Sequence, residues 1–386
     1  MDADARTIRV LSAIRDKHGG DGVRLLRGKM AVLWGPGAIR EVLDNSASTY
    51  ASDGGAKRKG MDHFQPDALT ISRGETWRAR RAFTEAVLGT GGPLDGLGER
   101  WATVAAEEAE ALAVADHVEG NDELRWEPWN EAFRRIARRV ILGDAAADDA
   151  DLSETLGEMM AEANGMPGRT SARYPGFIAR LGEYVSAAEQ GSLVSRFAGA
   201  PADAETKPVG QLPHWLFATG DTLAINAFRA LAVLASNPLA RERAVADPEY
   251  LEACFEEAMR LWPSTTMLSR ETLAETEWGG VMVEPGTQVL IPNLFLHRDR
   301  ERHEWADRLA PERWLTGEAA GDWSFNHFSR GPQGCPGTAI ARLLGATALA
   351  TLIAGERGLE LLAPSLDPAR PLPAMLDFFG IRVRIG

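Results

Sequence analysis

Cys335 is one of only two cysteines in 386 residues, and it lies in FSRGPQGCPG (Phe328 to Gly337), directly before TAIARLLGATALATLIAG. That run is apolar nearly all round, which predicts a buried helix. Pro336 suits a first helical turn, where its missing N–H would go unpaired anyway. Cys335 would then face the positive end of a helix dipole, which favours the thiolate, the metal-binding form. Gly331, Gly334 and Gly337 remove side chains from around the sulfur, so backbone can approach a flat ligand and N–H groups can point at a bound thiolate. A lone cysteine is more often a small buried hydrophobe. Cys254, one helical turn before Glu257, reads that way, whereas three glycines ahead of a helix move Cys335 toward the ligand reading.

Other groups carry chemistry only in combination. In FEEAMRLWP, Glu257 and Arg260 stand three apart on one helix face, near enough to pair, and Pro263 ends the helix. Alone, that pattern is common on surface helices. PERW (Pro311 to Trp314) follows and offers Arg313. LFATGDTLA (Leu216 to Ala224) sets Gly220 beside Asp221 and Thr222 inside an apolar run that starts at Leu212. Glycine in mid-helix costs about 1 kcal/mol against alanine, and threonine can bond back to a carbonyl one turn earlier, so this spot predicts a local opening of the helix. By themselves Asp221 and Thr222 are equally an ordinary polar pair. Trp77 and Arg81 in GETWRARR, and Arg270 beyond the Pro263 break, offer N–H donors; an arginine fork meets a carboxylate bidentately. Each arginine alone reads as a surface salt bridge.

Taken together and in this order, these segments resemble the cytochrome P-450 family over roughly residues 70 to 340. Phe328, Gly331, Cys335 and Gly337 have the spacing of its haem-binding loop. The resemblance implies haem b (iron protoporphyrin IX) as cofactor, with Cys335 as the axial ligand of the haem iron, the thiolate ligation for which the family is known. It implies Glu257, Arg260 and Arg313 as a structural triad behind the haem, and Trp77, Arg81 and Arg270 as donors to its propionates. Asp221 and Thr222 would be the acid–alcohol pair of the oxygen-binding helix, with Thr222 hydrogen-bonding oxygen or water and Asp221 linking it to solvent. Two positions depart from the pattern: Ser329 replaces the usual glycine, and Gln333 stands where the family usually has His or Arg. Gln333 can donate a hydrogen bond but has no charge, which leaves Arg330 or His297 as alternatives for that propionate contact.

The elements that must position these groups read as mostly helical, with short strands near the two ends. The implied fold is mainly α with small β-sheets, as in the P-450 fold, with the haem buried between the long central helix and the helix after the cysteine loop. It would be a single haem-thiolate domain over 1–386, with a β-rich subregion about 20–60. Strand candidates are Val23–Leu26, Ala31–Trp34, Val281–Val283, Gln288–Ile291 and Ile381–Ile385, so a small sheet must join distant segments. Phe133, Ile136, Ala137, Val140 and Ile141 fall at helical spacing with Arg134, Arg135, Arg138 and Arg139 opposite, which predicts an amphipathic surface helix whose arginines are a solvated face. Ala200–Gln211 (APADAETKPVGQ) reads as a surface loop before the long buried helix.

Composition narrows the function classes. With 55 acidic against 42 basic residues and a net charge of -13, the average field repels nucleic acid and anionic lipid. No uncharged run reaches the length of a bilayer span, the first residues lack the blocks of a signal peptide, and two cysteines make no disulfide framework. A cytoplasmic protein without a membrane anchor is therefore expected, and a monomer is expected alongside. His297, His303 and Glu304 fit no zinc spacing, Gly35–Gly37 lacks a full phosphate-binding fingerprint, and Met159, Met160 and Met166 suit packing or a flexible pocket.

Within the resemblance, the expected activity is insertion of one oxygen atom of O2 into a compact hydrophobic metabolite, as in a bacterial biosynthetic pathway. Electrons would come from a separate ferredoxin and ferredoxin reductase. The rivals are peroxide-driven oxidation, which does not need the acid–alcohol pair, and a non-catalytic haem-thiolate protein that binds a ligand or gas. Substrate contacts are expected from Gly55–Ile71, Met159–Ile178, the Leu216–Asp221 face, Pro263–Leu268 and Met375–Phe379.

Overall fold

The apolar run expected from Leu212 forms the long central helix of a computed structural model that describes residues 3–90, 94, 96–118, 123–278, 281–355 and 358–386. The helix runs from Pro208 to Ser236 and so begins inside the expected loop. Pro208 occupies the first turn, where no N–H is needed. Gln211 is buried there, because its side chain accepts from Leu69 N at 2.9 Å and donates to the carbonyls of Asp67 and Thr206 at 2.7 and 2.9 Å. Beyond Leu223 the helix is buried on nearly every face, packed by the helices Trp126–Ile141, Pro248–Leu261 and Thr338–Ile353.

Midway, Ala218–Thr222 forms a widened turn in which Leu223 N donates to the Ala218 carbonyl five residues back. The opening predicted at Gly220 is therefore present, and close packing accounts for the glycine. A Cβ there would stand 3.2 Å from Arg134 Cγ, and the Gly220 carbonyl accepts from Asn130 Nδ2 at 2.8 Å.

The expected small sheet does join distant segments. Its order is Gly22–Leu25, Met30–Leu33, Gln288–Ile291, Leu268–Thr272, Tyr50–Ala51; the Met30–Leu33 and Gln288–Ile291 pair is parallel and the others are antiparallel. It packs on the helices Ala3–His18 and Pro36–Asp44 around Ile39, Val42, Leu43, Val289 and Ile291. Two hairpins stand apart, Thr276–Trp278 with Val281–Val283 and Leu359–Ala363 with Arg382–Ile385. The strand Leu268–Thr272 was not expected, because its sequence LSRET has no run of β-branched residues to mark it.

The helix Trp126–Ile141 buries its predicted apolar face, but its arginines are not a solvated stripe. Arg138 is 1% exposed and donates to the Ala147 carbonyl, Ser153 Oγ and Glu131, while Arg135 and Arg139 both hold Glu108 of the helix Leu97–Val118. Acidic neighbours on adjoining helices cover the stripe.

The helix Pro248–Leu261 carries the fully buried pair Glu257–Arg260, bidentate at 2.7 Å through both guanidinium contacts. Glu257 also accepts from Ala310 N and Trp314 Nε1, each at 2.8 Å, and Arg260 donates to the carbonyls of His297, Ala306 and Arg308. The expected third member is placed differently: Arg313 is 45% exposed, pairs with Glu318 at 2.6 Å, and lies over the Trp305 ring that also receives Arg260. Backbone groups and the Trp314 indole have taken the places a third charged group would fill. Glu257→Ala should therefore cost about 3–5 kcal/mol by leaving Arg260 buried and unpaired, whereas Arg313→Ala should cost under about 1 kcal/mol; urea denaturation of both variants checks this contrast.

Candidate functional site

The cysteine loop is built by backbone hydrogen bonds that turn it back on itself. Cys335 N donates to the Phe328 carbonyl and Gly334 N to the Gly331 carbonyl, both at 2.8 Å. Thr338 Oγ1 donates to the Cys335 carbonyl at 2.9 Å, and the helix proper begins at Thr338. Pro336 thus lies in the turn ahead of the helix and not within its first turn as expected. The glycines divide their work. Gly331 has φ +67°, and a Cβ on it would collide with the Leu43 carbonyl oxygen, so it seats the loop on the end of the helix Pro36–Asp44 and does not clear the sulfur. Gly337 lies beside the sulfur, where a Cβ would make ordinary contact at 3.9 Å from Cys335 Sγ and 4.0 Å from Leu88 Cδ1, so its glycine keeps space open there without a clash demanding it.

Cys335 Sγ opens onto a cavity of about 740 Å³. The thiol's accessible surface is that of the cavity, since surrounding protein encloses it. Burial pushes the thiol up, and the Gly337 N–H, the Thr338 hydroxyl and the Arg81 charge act against that. Iron bound at this sulfur must displace its proton.

The cavity wall is one-sided in charge. Trp77, Arg81, Arg270, Phe328, Gln333 and Lys57 line it, and no aspartate or glutamate does among the described residues. Arg81 projects from the helix Gly74–Leu88 and donates to the Gly334 carbonyl at 2.6 Å and to Glu85 at 2.7 Å, so it braces the loop directly. Arg270 is buried on the strand Leu268–Thr272 and has only neutral partners: Ser46 Oγ at 3.1 Å, the Ser269 carbonyl at 2.9 Å and Ser329 Oγ at 3.0 Å. Burial pulls it down to about 10. The departure at Ser329 is thus the hydroxyl that steadies Arg270.

Gln333 lines the cavity with its Oε1 buried and unpartnered, while the two alternatives point elsewhere. Arg330 donates to the carbonyls of Asp322 and Phe325 and lies over Trp323. His297 is held between the Arg260 carbonyl at Nδ1 and Asn326 N at Nε2. Open space beside the sulfur at Gly337 and a buried arginine without an anion fit a flat cofactor that carries carboxylates, to which Gln333 could donate only through its Nε2.

The widened turn of the central helix faces the same cavity through Ala218, Thr219, Thr222 and Leu223. Asp221 does not. Its Oδ1 accepts from Arg134 Nε and Nη2 at 3.1 and 2.9 Å and from Asn130 at 3.3 Å, and it borders a separate small hollow with Ser153 and Leu216. Successive residues lie about 100° apart around a helix, so the expected pair is split between two faces. Of the expected substrate segments, Lys57, Met61, Leu69, Thr70, Phe217, Ser264, Thr265, Met267 and Leu268 line the cavity. No described residue of Met159–Ile178 or Met375–Phe379 does: Met159 is packed in the core and Met375 is exposed. His214 and His327 were missed, and Lys57 fell within an expected segment without being singled out. Lys57 sits in the charged run KRK, which reads as surface, and neither histidine belongs to a motif.

A thiol-bearing glycine loop and an opened helical turn line one cavity that has no acid among its described residues, an arrangement that fits a carboxylate-bearing cofactor. The cytochrome P450 family model matches residues 229–354, which contain Glu257, Arg260, Arg270, Arg313 and the cysteine loop. Among curated relatives, probable cytochrome P450 4s3 of Drosophila melanogaster is 29% identical over 208 residues, 50% of this chain and 41% of that protein. Cytochrome P450 714C3 of Oryza sativa subsp. japonica is 31% identical over 166 residues, 36% of this chain and 32% of that protein. The matches therefore span less than half the length of these relatives. The solved structure of a 6-coordinated cytochrome P450 from Thermus thermophilus shares the fold, with TM-score 0.72 over 98% of both chains at 18% identity. The chain thus has the cytochrome P450 fold, and its residues 229–354 are similar to the cytochrome P450 family, which holds haem iron.

Removing the buried cation should loosen that cofactor. Arg270→Leu is expected to speed haem transfer to apomyoglobin by at least about tenfold, the loss of one charge-assisted contact. Arg330→Ala, which removes no cavity-lining group, should leave the transfer rate within about twofold, below 1 kcal/mol.

Proposed function

We propose that the chain is a haem-thiolate monooxygenase of a single domain, a cytoplasmic monomer that takes electrons from a separate ferredoxin and its reductase. The observation that carries the reading is that Cys335 and the opened turn at Thr222 line one cavity. Cys335 Sγ would be the axial ligand of haem b, and Trp77, Arg81, Arg270 and Gln333 would hold its carboxylates, with Phe328 and Gly337 against its face. When bound, haem iron supplies activation of O2 and transfer of one oxygen atom to the substrate.

The chain's own residues then do three things. The apolar walls, among them Leu69, Phe217, Leu223, Met259 and Leu290, exclude water and position the substrate. The Thr222 hydroxyl, on the cavity side of the opened turn, can hold a water and pass a proton from its Oγ1. Asp221, 18% exposed and ion-paired to Arg134, would pass protons between solvent and that turn from the far side of the helix. A small substrate fits a cavity of about 740 Å³ that the cofactor must share, and a bacterial biosynthetic pathway would be its source.

The split between Asp221 and Thr222 favours one second reading, peroxide-driven oxidation, in which no proton relay is needed. A ligand panel screened for a Soret spin shift supplies a surrogate substrate. On it, Thr222→Ala should lose at least about tenfold of the turnover driven by NADH, ferredoxin and reductase, while peroxide-driven turnover stays within about twofold. Equal loss on both routes would count against the monooxygenase reading.

A further inference from the structure

Lys57 lies on the helix Gly55–Met61, enclosed by protein and facing the cavity. Its Nζ donates to the Thr70 carbonyl at 3.0 Å and to Thr70 Oγ1 at 2.6 Å, both neutral acceptors. An ammonium has three donors, and among the described residues no carboxylate pairs with this one. The nearest acid in sequence, Asp53, is held by Arg58 at 2.6 Å and by Arg73 at 2.8 Å. Burial, then the charge of Arg270, pull Lys57 down to about 7. The Asp53 charge acts against that pull but is already shared by two arginines, so an amine hydrogen-bonded only to neutral groups beside a second cation is a site that an anion would complete.

Position separates this site from the reacting end of the cavity. Lys57's charge also reaches His214, which burial, then Lys57, hold down to about 4, so its ring is neutral and does not add to the positive charge. His214, Ala218 and Thr222 all line the cavity and recur every four residues, on one face of the central helix. Eight residues from His214 to Thr222 span about 12 Å at 1.5 Å per residue. An anionic group held beside His214 leaves a compact apolar body to reach the turn at Thr222, past Phe217 and Leu69.

We propose that Lys57 seats a carboxylate of the substrate, so that the cavity selects compact amphipathic acids over neutral hydrophobic molecules. This rests on the monooxygenase reading only in taking the ligand to be a substrate. The rival source of the same chemistry is a carboxylate of the cofactor, and the test separates the two.

Haem-loaded protein is titrated with decanoate and 4-phenylbutyrate, each against its methyl ester, with the Soret spin shift as readout. In the wild type each acid should bind at least about tenfold tighter than its ester, and in Lys57→Met and Lys57→Gln that preference should fall within about twofold, with ester binding unchanged. Haem transfer to apomyoglobin should stay within about twofold of wild type in both variants. The proposal is overturned by no acid preference in the wild type, or by a preference that survives both substitutions. Faster haem loss in the variants also overturns it and assigns Lys57 to the cofactor's carboxylate. A protein that binds haem without thiolate ligation would instead sink the monooxygenase reading, whatever the acids do.

Discussion

Arg270 carries its guanidinium into the interior between Ser46, Ser269 and Ser329, none of them charged. Moving such a charge out of water costs several kcal/mol unless an opposite charge meets it. The chain supplies no acid on the cavity wall among its described residues, while it adds Arg81 and Lys57 to the same wall. The fold holds this arrangement by force of its backbone. The strand Leu268–Thr272 is bonded to Gln288–Ile291 on one side and to Tyr50–Ala51 on the other, so Arg270 cannot swing out to solvent without breaking the sheet. A carboxylate-bearing cofactor would relieve the charge, and the proposed chemistry of the cavity follows from that demand.

The same handling of charge explains how the loop is kept in register. Glu257 and Arg260 are buried too, but they satisfy each other and then bind backbone groups at 297–310 and the Trp314 indole. That segment leads directly into the cysteine loop. Downstream, His327 meets Glu256 at 2.5 Å, and Glu256 also pairs with Arg342 of the helix after the loop. Two adjacent glutamates of one helix thereby fix both ends of the segment that presents Cys335. Paired charges serve the frame, and unpaired ones serve the site.

Much of this was legible in the sequence because it depends on local pattern. The glycines and proline around Cys335, the apolar helix after it, and the glycine in mid-helix at Gly220 each signal a backbone event within a few residues. What was not legible depends on what arrives from elsewhere in the chain. Arg313 has the right spacing for a triad, yet Trp314 and backbone groups occupy the place. The arginines of the helix Trp126–Ile141 look solvated until Glu108 and Ala147 are brought against them. The divergence of Asp221 and Thr222 follows from helical geometry, but which of them meets the cavity and which meets Arg134 depends on the elements packed around the turn. Lys57 looks like surface charge until the helix that carries it folds over the cavity.

Sulfur ligation by Cys335 is the claim on which the site depends. The direct measurement is the CO-difference spectrum of the reduced, haem-loaded protein, taken on wild type, Cys335→Ser and Cys254→Ser. Thiolate ligation predicts a red-shifted Soret band in wild type and in Cys254→Ser, because Cys254 is buried away from the cavity, and loss of the band in Cys335→Ser. Absence of the band in wild type, or its survival in Cys335→Ser, would contradict thiolate ligation at this residue.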